Sequence, residues 1–218
     1  IGAGFAGLSA ARTFVEDGLS VLLVERGVVG CRASGRNGGI LLPGEGAHLG
    51  GSDGVDVIDA AAAAAAGELV QLMETHSIDA GLTRGTMRLA LTQRQARGLR
   101  GLAAQPGREY LDRTELRSFV ASERYLGGLY EPDGVALDPR KLAEGLAQAI
   151  ESSGGEIVEH TTALELRQTG ARTVVVTDRG SVTADRLVGA AGTELAGVVP
   201  QARRRLGTIH SQIAVTEP

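Results

Sequence analysis

The stretch Ile1-Gly-Ala-Gly-Phe-Ala-Gly7 decides the fold of this chain. Ile1 has the character of the last residue of a β-strand, and the glycine turn after it leads into a helical pattern that Gly18 ends. The apolar run Ser20–Val24 follows, which is typical of a strand buried on both faces of a parallel sheet. Together these features predict a β-α-β arrangement at the start of an α/β fold.

The spacing of Gly2, Gly4 and Gly7 predicts a dinucleotide-binding turn. Such glycines permit a tight turn, a close approach of a pyrophosphate and a close helix–strand contact, while the helix N-terminus supplies N–H groups for the anion. Glu25 ends the next strand, where an acid accepts hydrogen bonds from an adenosine ribose and repels a 2′-phosphate. NADP is therefore disfavoured. A chance glycine turn is the weaker alternative, because the helix, the strand and Glu25 all follow it.

The residues after Glu25 are rich in glycine, above all in the loop Ala33-Ser-Gly-Arg-Asn-Gly-Gly39. An NAD-binding domain would usually continue with a regular helix here, so the loop favours a different dinucleotide. The chain has 32 glycines in 218 residues, roughly twice the usual ~7% share. We expect this backbone to pass close to a long ligand, because glycine has no side chain to hold a ligand away.

The opening glycines, Glu25-Arg26, the 33–39 loop and the later Leu137-Asp-Pro-Arg-Lys-Leu142 together resemble the D-amino acid oxidase-type FAD-dependent oxidoreductases. The loop most resembles their gamma-glutamylputrescine oxidase and glycine/sarcosine oxidase branch, and the resemblance runs from Gly2 to Pro218. It implies FAD as the cofactor. It also implies a discontinuous, Rossmann-like parallel-sheet FAD-binding domain with an inserted α+β substrate domain, truncated at both ends.

The resemblance also assigns cofactor-binding residues. Glu25 would bind the adenosine ribose and Arg26 would lie on the adenine side, while Ala163 stands where the family's backbone contacts the adenine edge. Gly192 would let the backbone approach FAD, with a plain strand-end or helix-stop glycine as the alternative. The pyrophosphate would be surrounded by Gly2, Ala3, Gly4, Phe5, Ala6 and Gly7, and the loop residues along the pyrophosphate, ribityl chain and flavin ring would be Ser34, Arg36, Asn37, Gly38 and Gly39. An ordinary surface arginine is the alternative for Arg36.

The rest of the chain alternates between helical and strand patterns. Asp138 and Pro139 predict a helix start, and Asp112 or Thr114 begins a predicted helix that ends at Val120. The predicted strands are 86–91, 126–130, 134–137, 157–158, 172–177, 181–183, 186–191 and 209–215, with helices also over 55–76 and 94–104, and a turn at Glu131–Gly134. The predicted domains are 1–80, the first part of the FAD-binding domain; 81–133, the first part of the substrate domain; 134–200, the second FAD-binding part; and 201–218, the start of the substrate-domain return.

Composition excludes several classes of protein. Basic residues number 22 and acidic residues 26, so the net charge of −4 gives no reason to expect a nucleic-acid partner. The lone Cys31 cannot form an intramolecular disulfide, and a tolerated thiol is favoured over a flavin linkage. No metal is predicted, because the spacing of His48, His76, His160 and His210 is not that of a metal site. Arg203-Arg-Arg205 is better explained as a solvated face than as a substrate-steering site.

No membrane association is predicted. The alanine run Ala60–Ala66 lies in a helical pattern that Asp56, Asp59 and Glu68 interrupt, so it predicts a helix with a small-residue face instead of a membrane span. Nothing resembles a signal peptide, and we expect a cytoplasmic protein. Because the first residues read as the end of a strand, the sequence is expected to be a fragment.

By resemblance, the expected reaction is oxidation of an amine or amino acid. A hydride would pass from the substrate C–H to flavin N5, and oxygen would act as acceptor and give an imine and hydrogen peroxide. The alternatives are a non-catalytic FAD- or dinucleotide-binding protein and a dehydrogenase of the same family with another acceptor. No catalytic residue is predicted, since the family's substrate-clamping side chains come largely from segments absent here, and the stretch alone is expected to be inactive. The oligomeric state is not predicted.

Overall fold

The computed structural model describes residues 1–41 and 55–209, which form two compact units. The first unit contains Ile1–Gly38, Thr75–Ala80 and the described residues from Asp138 onward. The second unit contains Gly39–Glu74, apart from the undescribed 42–54, and Gly81–Leu137. The roles assigned from sequence to the segments 1–80, 81–133, 134–200 and 201–218 stay predictions.

The described elements run in the order α1 (Phe5–Glu16), β1 (Leu22–Val24), β2 (Ile40–Leu41), α2 (Val55–Thr75), β3 (Thr83–Ala90), α3 (Gln93–Leu102), β4 (Glu109–Asp112), α4 (Arg113–Leu116), β5 (Gly127–Ala136), α5 (Pro139–Ser152), β6 (Glu156–Val158), β7 (Ala163–Thr169), β8 (Arg172–Thr177) and β9 (Gly180–Ala184). Short 3₁₀ helices cover Ala33–Gly35, Gly192–Gly197 and Pro200–Arg204.

The first unit is built on a parallel arrangement of strands. β1 pairs with β6 in parallel, with Leu23 opposite Ile157. Ile1 lies on the other side of β1: the Gly2 N–H donates to the Val24 carbonyl at 2.9 Å, and the Ala190 N–H donates to the Ile1 carbonyl at 2.8 Å. The predicted β-α-β start is therefore present, with α1 between Ile1 and β1.

Helix α5 forms as the sequence predicts. The carboxylate of Asp138, its N-cap residue, accepts hydrogen bonds from the Arg140 and Lys141 N–H groups, and Pro139 occupies the first turn, where a missing N–H costs nothing. Its apolar face is buried and packs against α1; that face consists of Leu142, Ala143, Leu146, Ala147, Ala149 and Ile150. This packing holds α1, the helix that begins at the glycine turn, in place.

A second sheet of the first unit is antiparallel, in the order β7-β8-β9. The predicted hairpin between 172–177 and 181–183 is confirmed by β8 and β9. β7 was not predicted. It has no buried residue and Leu164 is 55% exposed, so its sequence lacks the apolar alternation of a strand with one buried face. The predicted strand 186–191 is wrong, since these residues are irregular and pair with Ile1 through Val188 and Ala190.

The second unit contains an antiparallel sheet centred on β5. β3 pairs along one edge of β5, while β4 and β2 pair with the first and second halves of the other edge. The predicted turn at Glu131–Gly134 is wrong, because β5 continues through it with a bulge opposite Gly85. Gly85 has φ of +90°, a conformation that favours glycine. The predicted helix to Val120 is shorter, since α4 ends at Leu116.

Helix α2 confirms the predicted alanine-rich helix. Ala66 and Met73 are buried, whereas Ala61 and Ala64 are exposed. Among the described residues no helix is long and apolar enough to cross a membrane. The predicted strand 209–215 lies outside the described residues except for Ile209, which belongs to no strand.

Candidate dinucleotide-binding site

The three glycines of the opening turn face groups that leave no room for a side chain. Gly2 has φ of +96°, and a Cβ on it would lie 2.7 Å from the Ala190 carbonyl oxygen. A Cβ on Gly7 would overlap the carbonyl oxygen of Gly2. Glycine at these positions therefore lets the turn, the start of α1 and the Ala190 segment lie in close main-chain contact.

The N-terminus of α1 is prepared for an anion. Its N-cap residue, Gly4, offers no side-chain acceptor, and the first turn holds no acidic residue. The hydroxyl of Ser34 accepts a hydrogen bond from the Phe5 N–H at 3.0 Å, so the 33–39 loop reaches this terminus. Backbone N–H groups and the helix dipole at such a terminus favour a negatively charged ligand.

Glu25 lies at the same edge, directly after β1. Its Oε2 accepts from the Ala3 N–H and its Oε1 from the Gly27 N–H, both at 2.7 Å. The carboxylate is half-buried, and its two oxygens offer about four acceptor sites in all. The backbone therefore fixes this side chain while leaving acceptor capacity for ribose hydroxyls.

The segment that precedes β7 lies beside the residues that come directly after β1. The Thr161 N–H donates to the Glu25 carbonyl and the His160 N–H to the Gly27 carbonyl, both at 2.9 Å. Ala163, two residues further, is half-buried and begins β7. The structure thus brings its backbone to the same part of the first unit as Glu25.

The other predicted contacts of this site come from two surface segments. Gly192 opens a 3₁₀ helix with φ of +57°. Two residues later, Glu194 accepts a hydrogen bond from Arg26 Nη2 at 2.6 Å. The sequence did not indicate Glu194, since it belongs to no motif. Arg26 and the Gly192 segment are nonetheless brought together.

The glycine-rich loop is held by its own contacts. Asn37 Nδ2 donates to the Ser34 carbonyl at 2.7 Å and so closes the turn around Ala33–Gly35. Arg36 and Gly38 are exposed, and Gly39 has φ of +64° where the second unit begins. Ser34 is therefore the member of this loop that the structure joins to the helix terminus.

Packing beneath the loop involves residues that the sequence did not indicate. A Cβ on Gly30 would lie 2.7 Å from the Ala143 Cβ on α5, and the Gly30 N–H donates to the Ala3 carbonyl at 3.0 Å. The Val29 N–H donates to Glu159 Oε1 at 2.6 Å. The loop is thus positioned from below by α5 and by the segment after β6.

The remaining candidates form no second site. Cys31 is a half-buried free thiol, and Arg203–Arg205 is exposed. Within residues 1–41 and 55–209 no group of three metal-ligating side chains was found. His48 and His210 lie outside the described residues.

Comparison with known proteins identifies the dinucleotide. The family model for FAD dependent oxidoreductases, DAO, matches residues 1–218. The chain belongs to the FAD-dependent oxidoreductase (DAO) family. The prediction of FAD as the cofactor is thereby confirmed.

Individual relatives of the DAO family cover the whole chain. Gamma-glutamylputrescine oxidoreductase of Escherichia coli K12 is 30% identical over 236 residues, which cover 100% of this chain and 54% of that protein. The probable oxidoreductase OrdL of Rhizobium meliloti is 28% identical, with 99% and 54% covered. The chain thus spans about half the length of the curated relatives it matches.

A solved structure confirms the fold class. Glycine oxidase from Geobacillus kaustophilus superposes with a TM-score of 0.78 at 24% identity, covering 92% of this chain and 56% of that one. The mixed α/β architecture with a parallel sheet is therefore that of DAO flavoproteins.

FAD fits the first unit on physical grounds. The close main-chain packing at Gly2 and Gly7 holds the start of α1 against the glycine turn, and this helix N-terminus carries no capping side chain and no acidic residue in its first turn. Glu25 carries a fixed carboxylate at the same edge. These groups have the chemistry that a pyrophosphate and an adenosine ribose require.

Proposed function

We propose that this protein is an FAD-dependent enzyme that oxidises the C–N bond of an amine or amino acid, with oxygen as electron acceptor. The observation that carries the proposal is the convergence of the glycine turn, Glu25 and Ser34 at one sheet edge. The names of the relatives support the substrate class, since they include a gamma-glutamylputrescine oxidoreductase and a glycine oxidase.

The chain's own residues would bind and orient the cofactor. The backbone from Gly2 to Gly7 and the hydroxyl of Ser34 would hold the pyrophosphate, and Glu25 would accept hydrogen bonds from the ribose. Arg36, Asn37, Gly38 and Gly39 would continue along the flavin side, and Arg26, Ala163 and Gly192 would line the adenosine side. When bound, FAD supplies the two-electron oxidation that no side chain can perform.

The first test measures binding of FAD by the change in flavin fluorescence, a convenient reporter because the chain has no Trp. We expect Glu25→Gln to weaken binding about tenfold, since an amide has a single acceptor oxygen for the Ala3 and Gly27 N–H groups. Glu16→Gln, on the exposed end of α1, is the matched control and should leave the affinity unchanged. Equal affinities for both variants would contradict the assigned site.

The second test adds amines and amino acids without oxygen to the FAD-loaded whole protein, because this stretch alone is expected to be inactive. Bleaching of the flavin absorbance, followed by recovery and hydrogen peroxide on admission of air, is the expected result. Bleaching without recovery in air would indicate a different electron acceptor. A protein that binds FAD but is bleached by no amine or amino acid would be a binding protein, and the proposed reaction would be wrong.

A further inference from the structure

The ion pair between Arg26 and Glu194 lies near Ile1, where the glycine turn begins. Hydrogen bonds from Gly2 to Val24 and from Ala190 to Ile1 place Ile1 between β1 and the 188–190 segment. Arg26 comes shortly after β1, which lies on one side of Ile1, and Glu194 comes shortly after the 188–190 segment, which lies on the other side. Their side chains therefore meet across the main chain at Ile1, at the start of the glycine turn.

In α/β sheets, this kind of location is where ligands usually bind. Ligands bind in the crevice outside the carboxyl ends of the strands, at the point where neighbouring connections diverge. β1 and the 188–190 segment both run in the direction of Ile1 and reach this edge with their carboxyl ends. A bond between the two connections therefore spans the crevice itself.

The contacts of Glu194 are with two cations. Its Oε1 accepts from Arg26 Nη2 at 2.6 Å, and Arg32 Nη2 lies 3.9 Å from the same oxygen. Arg26 and Glu194 are each about half exposed. The pair can therefore open and close without disturbing a core, unlike the buried contacts of Gly2 and Gly7.

We infer that Arg26 and Glu194 form a clasp that closes over the adenosine end of bound FAD, so that Glu194 is a positioning residue for the cofactor. Glu194 acts through Arg26: it holds the guanidinium across the crevice beside Glu25. The inference rests on the proposed FAD site and adds to it a residue that belongs to no recognised motif. Opening of the clasp would precede release of the nucleotide.

The test compares the dissociation rate constant of FAD from wild-type protein and from three variants, Glu194→Gln, Arg26→Gln and the double variant. We expect each single variant to release FAD about threefold to fivefold faster at low salt, as for loss of a half-exposed ion pair. The double variant should be no faster than the singles, because one interaction is lost in all three. At about 1 M salt, where the screening length is about 3 Å, the differences should nearly vanish.

A matched control is Asp185→Asn, which removes the exposed 2.8 Å ion pair of Asp185 with Arg172 in the same unit. It should leave FAD release unchanged. ADP serves as a second probe: its own dissociation constant should rise in Glu194→Gln by about the same factor as FAD release is accelerated, if the clasp acts at the adenosine end. Equal melting temperatures of the cofactor-free variants would show that the rate change is not a folding defect.

Several results would overturn the inference. Unchanged or slower release from Glu194→Gln would show that the pair does not retain the cofactor, and tighter binding would show that it competes with FAD. Additive single-variant effects would show that the two residues act separately. Wild-type protein that binds no FAD would contradict the proposed function itself, and is thus distinguishable from failure of the clasp alone.

Discussion

Glycine makes room for different neighbours in the two units. In the first unit, a Cβ on Gly2 or Gly7 would meet a backbone carbonyl oxygen, so these glycines allow two stretches of main chain to lie in contact. In the second unit, the bulge of the antiparallel sheet uses Gly85 and Gly134 to admit the protein's own side chains, since a Cβ on Gly85 would lie 2.8 Å from the Tyr130 hydroxyl. Glycine thus lets main chain pack on main chain in the first unit and lets side chains pack on main chain in the second.

Glu25 in the first unit and Glu131 in the second also differ in the groups that hold their carboxylates. Glu25 is half-buried and bound by backbone N–H groups, which leaves its oxygens available. Glu131 on β5 is 4% exposed, accepts two hydrogen bonds from Arg88 and lies 3.0 Å from Arg108 Nε. The first carboxylate keeps acceptor capacity beyond its two backbone hydrogen bonds, whereas the second is held between two guanidinium groups of the sheet.

The largest effect is expected for Gly7→Ala. The new methyl would overlap the Gly2 carbonyl oxygen, which is backbone and cannot rotate away. We expect a loss of about 3–4 kcal/mol in the free energy of unfolding. A loss of that size at the binding site corresponds to a fall of about 100-fold or more in FAD affinity, because each 1.4 kcal/mol is about a tenfold change in a binding constant. Denaturation followed by circular dichroism and an FAD titration measure the two quantities.

Gly98→Ala is the control for this variant. Gly98 is exposed on α3, and no atom lies within 4 Å of its added Cβ. Alanine should stabilise the helix by about 0.5–1 kcal/mol and leave FAD binding unchanged. Normal FAD affinity in Gly7→Ala would remove the glycine turn from the proposed site.

The next effect is expected for Glu131→Gln. Loss of the buried charge between two guanidinium groups should lower the free energy of unfolding by about 3 kcal/mol. Glu109→Gln, on the exposed surface of neighbouring β4, should change it by less than about 0.5 kcal/mol. A stability equal to that of the control would mean that the carboxylate does not hold this sheet together.

The smallest effect is expected for Gly134→Ala in the bulge. Its methyl would overlap the Thr86 side chain, which can shift more easily than backbone, so the cost should be about 1–2 kcal/mol with FAD affinity unchanged. Adding Thr86→Ala should restore most of the stability, because it removes the overlapping atoms and a buried hydroxyl without a hydrogen-bond partner in the described residues. Failure of this rescue would place the strain elsewhere in the bulge.

Features that depend on contacts between neighbours in sequence were predictable, and features that depend on contacts between distant residues were not. The start of α5 at Asp138 and Pro139 was predictable because a cap involves neighbours in sequence. The continuity of β5 through Glu131–Gly134 was not, because local turn chemistry was overruled by pairing with β3. The 186–191 segment was apolar enough to suggest a strand, yet its pairing depends on Ile1, distant in sequence.

The sequence by itself determined the β-α-β start and the glycine turn, because each depends on residues close together along the chain. It also determined the family, because each of the family's motifs is read directly from the order of residues. Tertiary structure alone decided that the Ser34 hydroxyl meets the α1 N-terminus, that Glu25 is fixed by Ala3 and Gly27, and that Glu194 reaches Arg26. The last pair joins residues 168 positions apart. No periodicity or spacing encodes such a contact, since it exists only once folding has placed β1 and the 188–190 segment on the two sides of Ile1.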